Sequence, residues 1–188
     1  MLLRGIKARR DGDRETATQI LERTLALAGH AGQAEIEMSA LLALISSAIE
    51  TGASSRAEGL LRQAHRVVKR CKDPSRETLL LFTEAHHAAM TGDRGRASAA
   101  FEEVTAAADA SDDHTVWCRA MINRAVLNLE DGAFELAADR LADALGRYHP
   151  DDGRRSLAIG YLGVMDLLLG RAHAAVQHLE ECMTLSPA

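Results

Sequence analysis

The residues best able to do chemistry in this chain are histidines and cysteines. His86 and His87 are adjacent in sequence, and His178 and Cys182 are four residues apart. On a helix, adjacent side chains point about 100° apart, so the two neighbouring histidines cannot easily share a metal ion. His178 and Cys182 would lie on one helix face, but two ligands fall short of the four that a structural zinc ion needs. We therefore predict no metal site.

Motifs typical of catalysis are not recognisable in the sequence. There is no HExxH motif, no paired-cysteine motif, no dinucleotide-binding fingerprint and no serine–histidine–aspartate arrangement in a recognisable context. The carboxylates are scattered along the chain, as solvation of helix surfaces requires. We predict that the protein is not an enzyme and that it binds no cofactor.

The composition favours a helical protein. Hydrophobic residues make up 47% and charged residues 26%, which is ordinary globular usage, but aromatic residues make up only 3%. Alanine, the best helix former, is abundant instead. A chain rich in alanine and arginine but poor in lysine is typical of a bacterial genome of high GC content.

Charge and hydropathy exclude several classes of function. The net charge of −5 argues against direct contact of this segment with nucleic acid. No stretch reaches the roughly 18 to 20 apolar residues that a membrane span needs, and no secretory signal is visible. The three cysteines, Cys71, Cys118 and Cys182, are an odd number at wide spacing, which indicates reduced thiols in a cytoplasmic protein.

An internal repeat of about forty residues organises the chain. Five glycines recur at spacings of 40, 40, 40 and 38: Gly12, Gly52, Gly92, Gly132 and Gly170. Each is followed after five residues by an alanine: Ala17, Ala57, Ala97, Ala137 and Ala175. Four residues further on stands a large apolar residue: Leu21, Leu61, Phe101, Leu141 and Leu179. Five copies in one register predict a repeat architecture.

The segments around each glycine have the apolar spacing of amphipathic helices, and none alternates like a strand. We predict ten helices in five pairs. The first helices of the pairs span about residues 2–11, 34–51, 75–91, 114–131 and 154–169, and the second helices about 14–28, 55–71, 94–109, 134–148 and 172–185. Start signals agree, because Ser55 with Glu58 forms a capping-box pattern and Asp73 places a cap before Pro74.

These positions resemble the tetratricopeptide repeat (TPR) over essentially the whole chain. The small residue of the family's first helix is matched by Gly5, Ala85, Ala125 and Gly163, whereas Ile45 departs from the pattern, and the closing proline is matched by Pro187 alone. The resemblance implies an all-α, right-handed superhelical solenoid. It predicts a single domain over residues 1–188, with units at about 1–32, 33–72, 73–112, 113–151 and 152–188.

The long repeat unit also resembles the repeat region of bacterial MalT-like and LuxR-family regulators. In those proteins the repeats flank a nucleotidase module and a DNA-binding module, and neither is recognisable here. The first helix is short, and no polar capping helix follows the fifth unit. Two explanations are open: the chain is an excised segment of a longer array, which is the plainer one, or its ends pair with another subunit.

The resemblance further implies that the first helices line a concave groove. Its predicted lining is Leu42, Ser46, Ile49, Leu79, Phe82, His86, Met90, Arg119, Ile122, Val126, Leu129, Leu157, Val164 and Leu168. This predominantly apolar surface suits an amphipathic helix or an apolar ligand. The alternative is that the longer helices rotate these side chains into packing between helices.

Three polar or aromatic positions stand out against this pattern. Asp166 lies in an apolar segment, where a carboxylate needs a partner, and Asn128 occupies the equivalent position one unit earlier. We expect either a polar contact between them or an aspartate that points into an open groove. Trp117 is expected to pack between repeats, with an anchoring role for a partner as the alternative.

Binding is therefore the predicted function. The first hypothesis is a non-catalytic protein- or peptide-binding TPR scaffold, an interaction segment of a larger bacterial protein. The alternative is a ligand-sensing or regulatory segment of a MalT-like transcription regulator. The predicted partner is a protein or peptide such as an amphipathic helix, with no nucleic acid and no membrane, and with association of copies through uncapped ends as a further option.

Overall fold

A computed structural model describes residues 1–149, 152 and 154–185. In that part of the chain it shows ten helices and no strand. They are α1 (Leu2–Arg10), α2 (Arg14–His30), α3 (Ala34–Glu50), α4 (Ser54–Val68), α5 (Ser75–Met90), α6 (Arg94–Ala110), α7 (His114–Glu130), α8 (Phe134–Arg147), α9 (Arg155–Leu168) and α10 (Ala172–Leu185). The all-α prediction is confirmed, and Pro150, Asp151 and Pro187 lie outside the described residues.

Helices adjacent in sequence pack on one another within two compact units, Met1–Asp93 and Arg94–Ala188. In the first unit α1 packs on α2, α2 on α3, α3 on α4 and α4 on α5. In the second unit α6 packs on α7, α7 on α8, α8 on α9 and α9 on α10. Each unit is therefore held by neighbour-to-neighbour contacts, as in a repeat array. The single-domain organisation stays a prediction.

The recurring glycine ends the first helix of each pair. Gly132, for example, has φ +75°, a left-handed conformation that only glycine adopts without strain, and it allows a tight turn into α8. The only non-glycine residue with positive φ in the described ranges is Asp112, at φ 56° in the link between α6 and α7. Aspartate tolerates this conformation better than most residues.

The helix caps differ in part from the sequence prediction. The capping box at Ser55 is wrong, because α4 begins one residue earlier and its N-cap residue, Ala53, has no side chain that could cap it. The cap predicted at Asp73 is also displaced, because α5 begins at Ser75 and its N-cap residue is Pro74; Asp73 Oδ1 accepts a hydrogen bond from the Ser75 backbone N–H at 3.0 Å from one residue further out. Asp13 and Asp113 are the N-cap residues of α2 and α7, and each accepts a hydrogen bond from the backbone N–H three residues later.

Small residues in the first helices permit close contact with the second helices. A Cβ atom built on Gly163 would lie 2.7 Å from Leu179 Cγ, and one built on Gly5 would lie 2.9 Å from Leu21 Cγ. Ile45, which departs from the pattern, is fully buried in the core of the first unit. The repeated alanines are all buried, so the repeat register derived from the sequence is the register of the core.

Candidate binding surface

The predicted groove residues differ widely in their exposure. Three of them are buried: Ile49, Phe82 and Ile122. Seven are half-buried: Leu42, Ser46, Leu79, His86, Arg119, Val126 and Leu129. Four are exposed: Met90, Leu157, Val164 and Leu168. The buried three offer almost no surface to a partner, whereas three of the exposed four lie together on α9.

A cleft of about 310 Å³ opens on the α9–α10 hairpin. Its lining is Ser156, Leu157, Gly160, Tyr161, Val164 and Cys182. Leu157 and Val164, seven residues apart on α9, belong to the groove predicted from the sequence, and both are exposed. The lining is therefore largely apolar and accessible, which is the character of a surface that binds apolar side chains.

Two glycines of α9, Gly160 and Gly163, have no side chain between α9 and α10, and Gly160 lines the cleft. A Cβ atom on Gly160 would lie 3.1 Å from Cys182 Sγ, so the glycine leaves that sulfur at the cleft wall. Cys182 Sγ donates a hydrogen bond to the Ser156 carbonyl oxygen at 3.2 Å. Gly163 lets α10 approach one turn further along α9. Sequence reasoning identified Gly163 but missed Gly160, which lies outside the repeat pattern.

The expected contact between Asp166 and Asn128 is wrong. Asp166 is 4% exposed, and its Oδ2 is 2.8 Å from Nδ1 of His178 on α10. The Arg171 guanidinium lies 3.6 Å from Oδ1 of the same carboxylate. The partners of Asp166 thus come from its own hairpin, because the α9–α10 turn brings Arg171 back beside α9. Nor does this aspartate point into an open groove.

Asn128 shows the opposite situation at the equivalent position of α7. Its Oδ1 is buried, and no donor among the described residues reaches it. A buried acceptor without a donor destabilises a fold by roughly 1–3 kcal/mol. The same sequence position therefore carries a satisfied polar group in α9 and an unsatisfied one in α7.

Trp117 packs within its own hairpin. The Arg147 guanidinium of α8 lies 3.8 Å from the centre of the indole ring, in cation–π geometry. The same arginine donates a hydrogen bond to Asp109 Oδ1 of α6 at 2.6 Å. Trp117 also contacts the apolar cluster between α7, α8 and α9. These contacts hold the indole in the α7–α8 hairpin, and the packing of Trp117 between repeats stays a prediction.

The buried Cys118 and Tyr148 are poorly suited to nucleophilic chemistry. Burial raises the pKa of the Cys118 thiol to about 11 and that of Tyr148 to about 12. The thiol donates a hydrogen bond to the Ala144 carbonyl oxygen at 3.4 Å. Because the thiolate is the reactive form of cysteine, the raised pKa disfavours nucleophilic chemistry by Cys118 at neutral pH.

The histidines do not assemble into a metal site in the described ranges, where no three potential ligands cluster. His87 is buried in α5, and His86 lies on the same helix with its ring centre 6.4 Å from that of Phe82. His178 Nδ1 contacts Asp166 Oδ2, and Cys182 Sγ donates a hydrogen bond to the Ser156 carbonyl oxygen, so each has its own partner on α9. Within the described residues, none of the helices combines the length and apolar character needed to cross a bilayer.

Comparison with known proteins identifies the fold. The chain matches no protein-family model and no curated protein. Among solved structures it is similar to BtubC (BKLC) from P. vanneervenii, with 18% identity and a TM-score of 0.74 over 92% of this chain and 73% of that one. It is also similar to a putative kinesin light chain with TPR-like repeats from Podosopora anserina, with 16% identity and a TM-score of 0.65 over 98% and 92% of the two chains.

The protein is thus an all-α chain of TPR-like helical repeats, as the repeat pattern predicted. A second solved structure of the putative kinesin light chain from Podosopora anserina gives the same result, with 17% identity and a TM-score of 0.66 over 98% of this chain and 92% of that one. At this level of identity the likeness shows the fold and not the function.

Proposed function

We propose that this protein is a non-catalytic scaffold that binds the apolar face of an amphipathic helix. The observation that carries the proposal is the apolar cleft on α9 and α10. It is bordered by Leu157, which is 55% exposed, and by Val164. Exposed apolar side chains around a concave surface are the feature by which proteins bind apolar side chains of a partner.

The arrangement on α9 suits helix-in-groove recognition. Leu157, Gly160, Val164 and Leu168 follow helical spacing and lie along one side of α9. An amphipathic helix presents its apolar residues at the same i, i+3, i+4 and i+7 spacing. Gly160 carries no side chain between the larger residues of the lining, which also include Tyr161.

A displayed library of helical peptides tests the proposal. Wild-type protein is expected to enrich peptides with apolar residues at i, i+3 or i+4 and i+7. A variant with Leu157→Asp and Val164→Asp is expected to enrich none of them. Leu27→Asp on α2 is the matched control, because Leu27 is an exposed leucine outside the cleft. Equal enrichment by wild type and the double variant would overturn the proposal.

Cys182 provides a second readout, because its sulfur lines the cleft. In a Cys71→Ala background, a bound peptide is expected to slow alkylation of Cys182. Alkylation of Cys182 at an unchanged rate under saturating peptide would place the binding site elsewhere.

The alternative function is that of a ligand-sensing or regulatory segment of a MalT-like transcription regulator. The cleft volume favours it, since about 310 Å³ lies at the lower end of the range for small-molecule sites. Binding of an apolar fluorescent probe such as anilinonaphthalene sulfonate, lost in the Leu157→Asp, Val164→Asp variant and accompanied by no peptide enrichment, would support this alternative instead.

A further inference from the structure

The side of α4 that faces solvent carries a row of positive charges. Arg62 and Arg66 lie on α4, Lys69 follows at its C-cap in helical conformation, and all three residues are exposed. Their spacing of four and three residues places them on one side of the helix, the basic face of α4. The helices before and after α4, which are α3 and α5, already pack against it, so a further repeat would not cover this face.

The charges of the basic face have few partners inside the molecule. Among the described residues no carboxylate pairs with Arg66 or Lys69. Arg62 Nη1 lies 4.0 Å from Glu58 Oε2 of the same helix, and both side chains are largely exposed, so this pair contributes little. The repeat fold does not require cations here, because the same positions of α6 are occupied by Glu102, Ala106 and Asp109. The basic face is therefore available to a partner of negative charge.

The side of α8 that faces solvent has the opposite charge. Glu135, Asp139 and Asp143 recur every four residues and are exposed, so they form the acidic face of α8. In the described part of the chain no arginine, lysine or histidine pairs with any of the three carboxylates. The small residues Ala142 and Gly146 are exposed on the same side of the helix. Since α7 and α9 already pack on α8, a further repeat would not cover this face either.

The two faces match in charge, spacing and side-chain length. At a rise of about 1.5 Å per residue, the cations span about 10 Å of α4 and the carboxylates about 12 Å of α8. If Arg66 is placed against Asp139, a cation meets a carboxylate on either side of that pair, whichever way the two helices run. Ala142 and Gly146 leave room for the methylene groups of the long cationic side chains.

The distribution of charge over the chain favours a second copy as the partner. Met1–Asp93 contains 13 basic and 12 acidic residues, whereas Arg94–Ala188 contains 9 and 15. The first unit of one copy and the second unit of another therefore attract each other. A nucleic acid or an anionic membrane extends beyond the basic face and would also meet the net charge of −5 of the whole chain, so such a partner is disfavoured.

We propose that the basic face of α4 docks on the acidic face of α8 in a second copy of this chain. Arg66 of one copy faces Asp139 of the other, and Arg62 and Lys69 form ion pairs on either side of it. Both faces are exposed within a single copy, which leaves them free for this contact. Exposed ion pairs are individually weak and are screened by salt, so the association is weak and requires low ionic strength. The contact is separate from the α9–α10 cleft and does not rest on helix binding there.

Sedimentation velocity of the full chain, at up to about 1 mM protein, tests the proposal at two salt concentrations. In about 20 mM salt the weight-average mass is expected to rise above the 20.3 kDa of the monomer as the protein concentration increases. In about 500 mM salt it is expected to fall back towards that value, because the Debye length shortens from about 20 Å to about 4 Å. A monomer at every concentration in low salt would overturn the proposal, and so would association that salt leaves unchanged.

Charge-reversal variants separate the two faces. The basic-face variant carries Arg62→Glu, Arg66→Glu and Lys69→Glu. The acidic-face variant carries Glu135→Lys, Asp139→Lys and Asp143→Lys. Each variant alone is expected to remain monomeric in low salt, since like charges then face each other. The control has the same change in net charge as the basic-face variant but on exposed residues of α1: Arg4→Glu, Lys7→Glu and Arg10→Glu. The control should keep most of the association, and an equal loss in the control would contradict the proposal.

Exchange of the charges between the two faces provides the sharpest test. A chain that carries all six face substitutions should associate again, because its α4 is then acidic and its α8 basic. Its net charge equals that of wild type, so its recovery reports the pairing of the two faces and not the total charge. Failure of this chain to associate, while circular dichroism shows unchanged helical content, would overturn the proposal.

Discussion

The helices α8 and α10 have the same place in their repeats but very different surroundings. Leu141 of α8 is 1% exposed and Ala144 is fully buried, whereas the equivalent Leu179 and Cys182 of α10 are half-buried. The difference arises because α8 is packed between α7 and α9, while α10 packs on α9. An apolar residue in a repeat becomes part of a core only when the next helix covers it.

The largest effect that tests this comparison is expected from truncating the two leucines. Leu141→Ala should lower the free energy of unfolding by about 3–4 kcal/mol, because it leaves a cavity in a packed cluster. Leu179→Ala should lower it by less than about 2 kcal/mol, since part of that side chain is already in water. Urea denaturation followed by circular dichroism measures both. Equal losses would mean that α10 is as well covered as α8.

The second test concerns the polar contact that ties α10 to α9. His178→Leu should destabilise the protein by about 1–3 kcal/mol, because it removes a partner from the buried Asp166 carboxylate. His173→Leu, on the exposed side of the same helix, is the control and should have little effect. Thermal denaturation of both variants measures the difference in stability. An unchanged midpoint for His178→Leu would contradict a stabilising role of the pair.

Asn128→Leu provides the counterpart in α7. Because the Asn128 oxygen is buried without a donor among the described residues, its replacement by an apolar side chain is expected to leave the stability unchanged or to raise it. A loss of more than about 1 kcal/mol on urea denaturation would show that Asn128 has a partner in solution.

The third test concerns the close contact between α9 and α10. Gly163→Ala should destabilise by about 1–2 kcal/mol, because the new methyl group would collide with Leu179 and the strain exceeds the gain in helix propensity. Gly59→Ala in α4 is the control. Its new methyl group would meet only the end of the Arg62 side chain, at 3.9 Å, so a gain of up to about 1 kcal/mol is expected. If urea denaturation shows that both variants are more stable than wild type, α10 must be able to shift away from the new methyl group on α9.

The last test concerns the pH dependence of stability, through the buried groups beside α8. The pKa of Cys118 in the folded protein is raised from 9.0 to about 11, so the folded state resists loss of the thiol proton. The stabilisation is complete below about pH 9 and is lost as the pH rises towards 11. The raised pKa of Tyr148 adds to this loss between about pH 10 and 12. Cys118→Ala should make the fall in unfolding free energy above about pH 9 shallower, and an identical slope would contradict this origin.

Much of the fold could be predicted because its signals are local. The glycine at each turn is required by a left-handed backbone conformation, and the alanine five residues later is required by close contact of two helices in the same hairpin. Both constraints act within about forty residues and recur in each of the five repeats. The helix starts were less certain, as Ser55 shows, because the ends of helices depend on single hydrogen bonds.

The candidate site was only partly predictable. Leu157 and Val164 were identified from their repeat positions, and they do line a cleft. Ile49, Phe82 and Ile122 were placed in the same groove, yet their side chains are buried. Repeat position gives the direction of a residue on its own helix, but burial depends on how far the neighbouring helices reach over it.

By itself the sequence determined the number of helices, their pairing into repeats and the register of the alanine-marked contacts. These properties follow from backbone conformation and from residue size within one repeat. Only the tertiary structure decided that Asp166 pairs with His178 rather than Asn128, and that the apolar face of α10 is open while that of α8 is closed. Both depend on where a turn or a neighbouring helix places its side chains in space, which the spacing of residues along the chain does not specify.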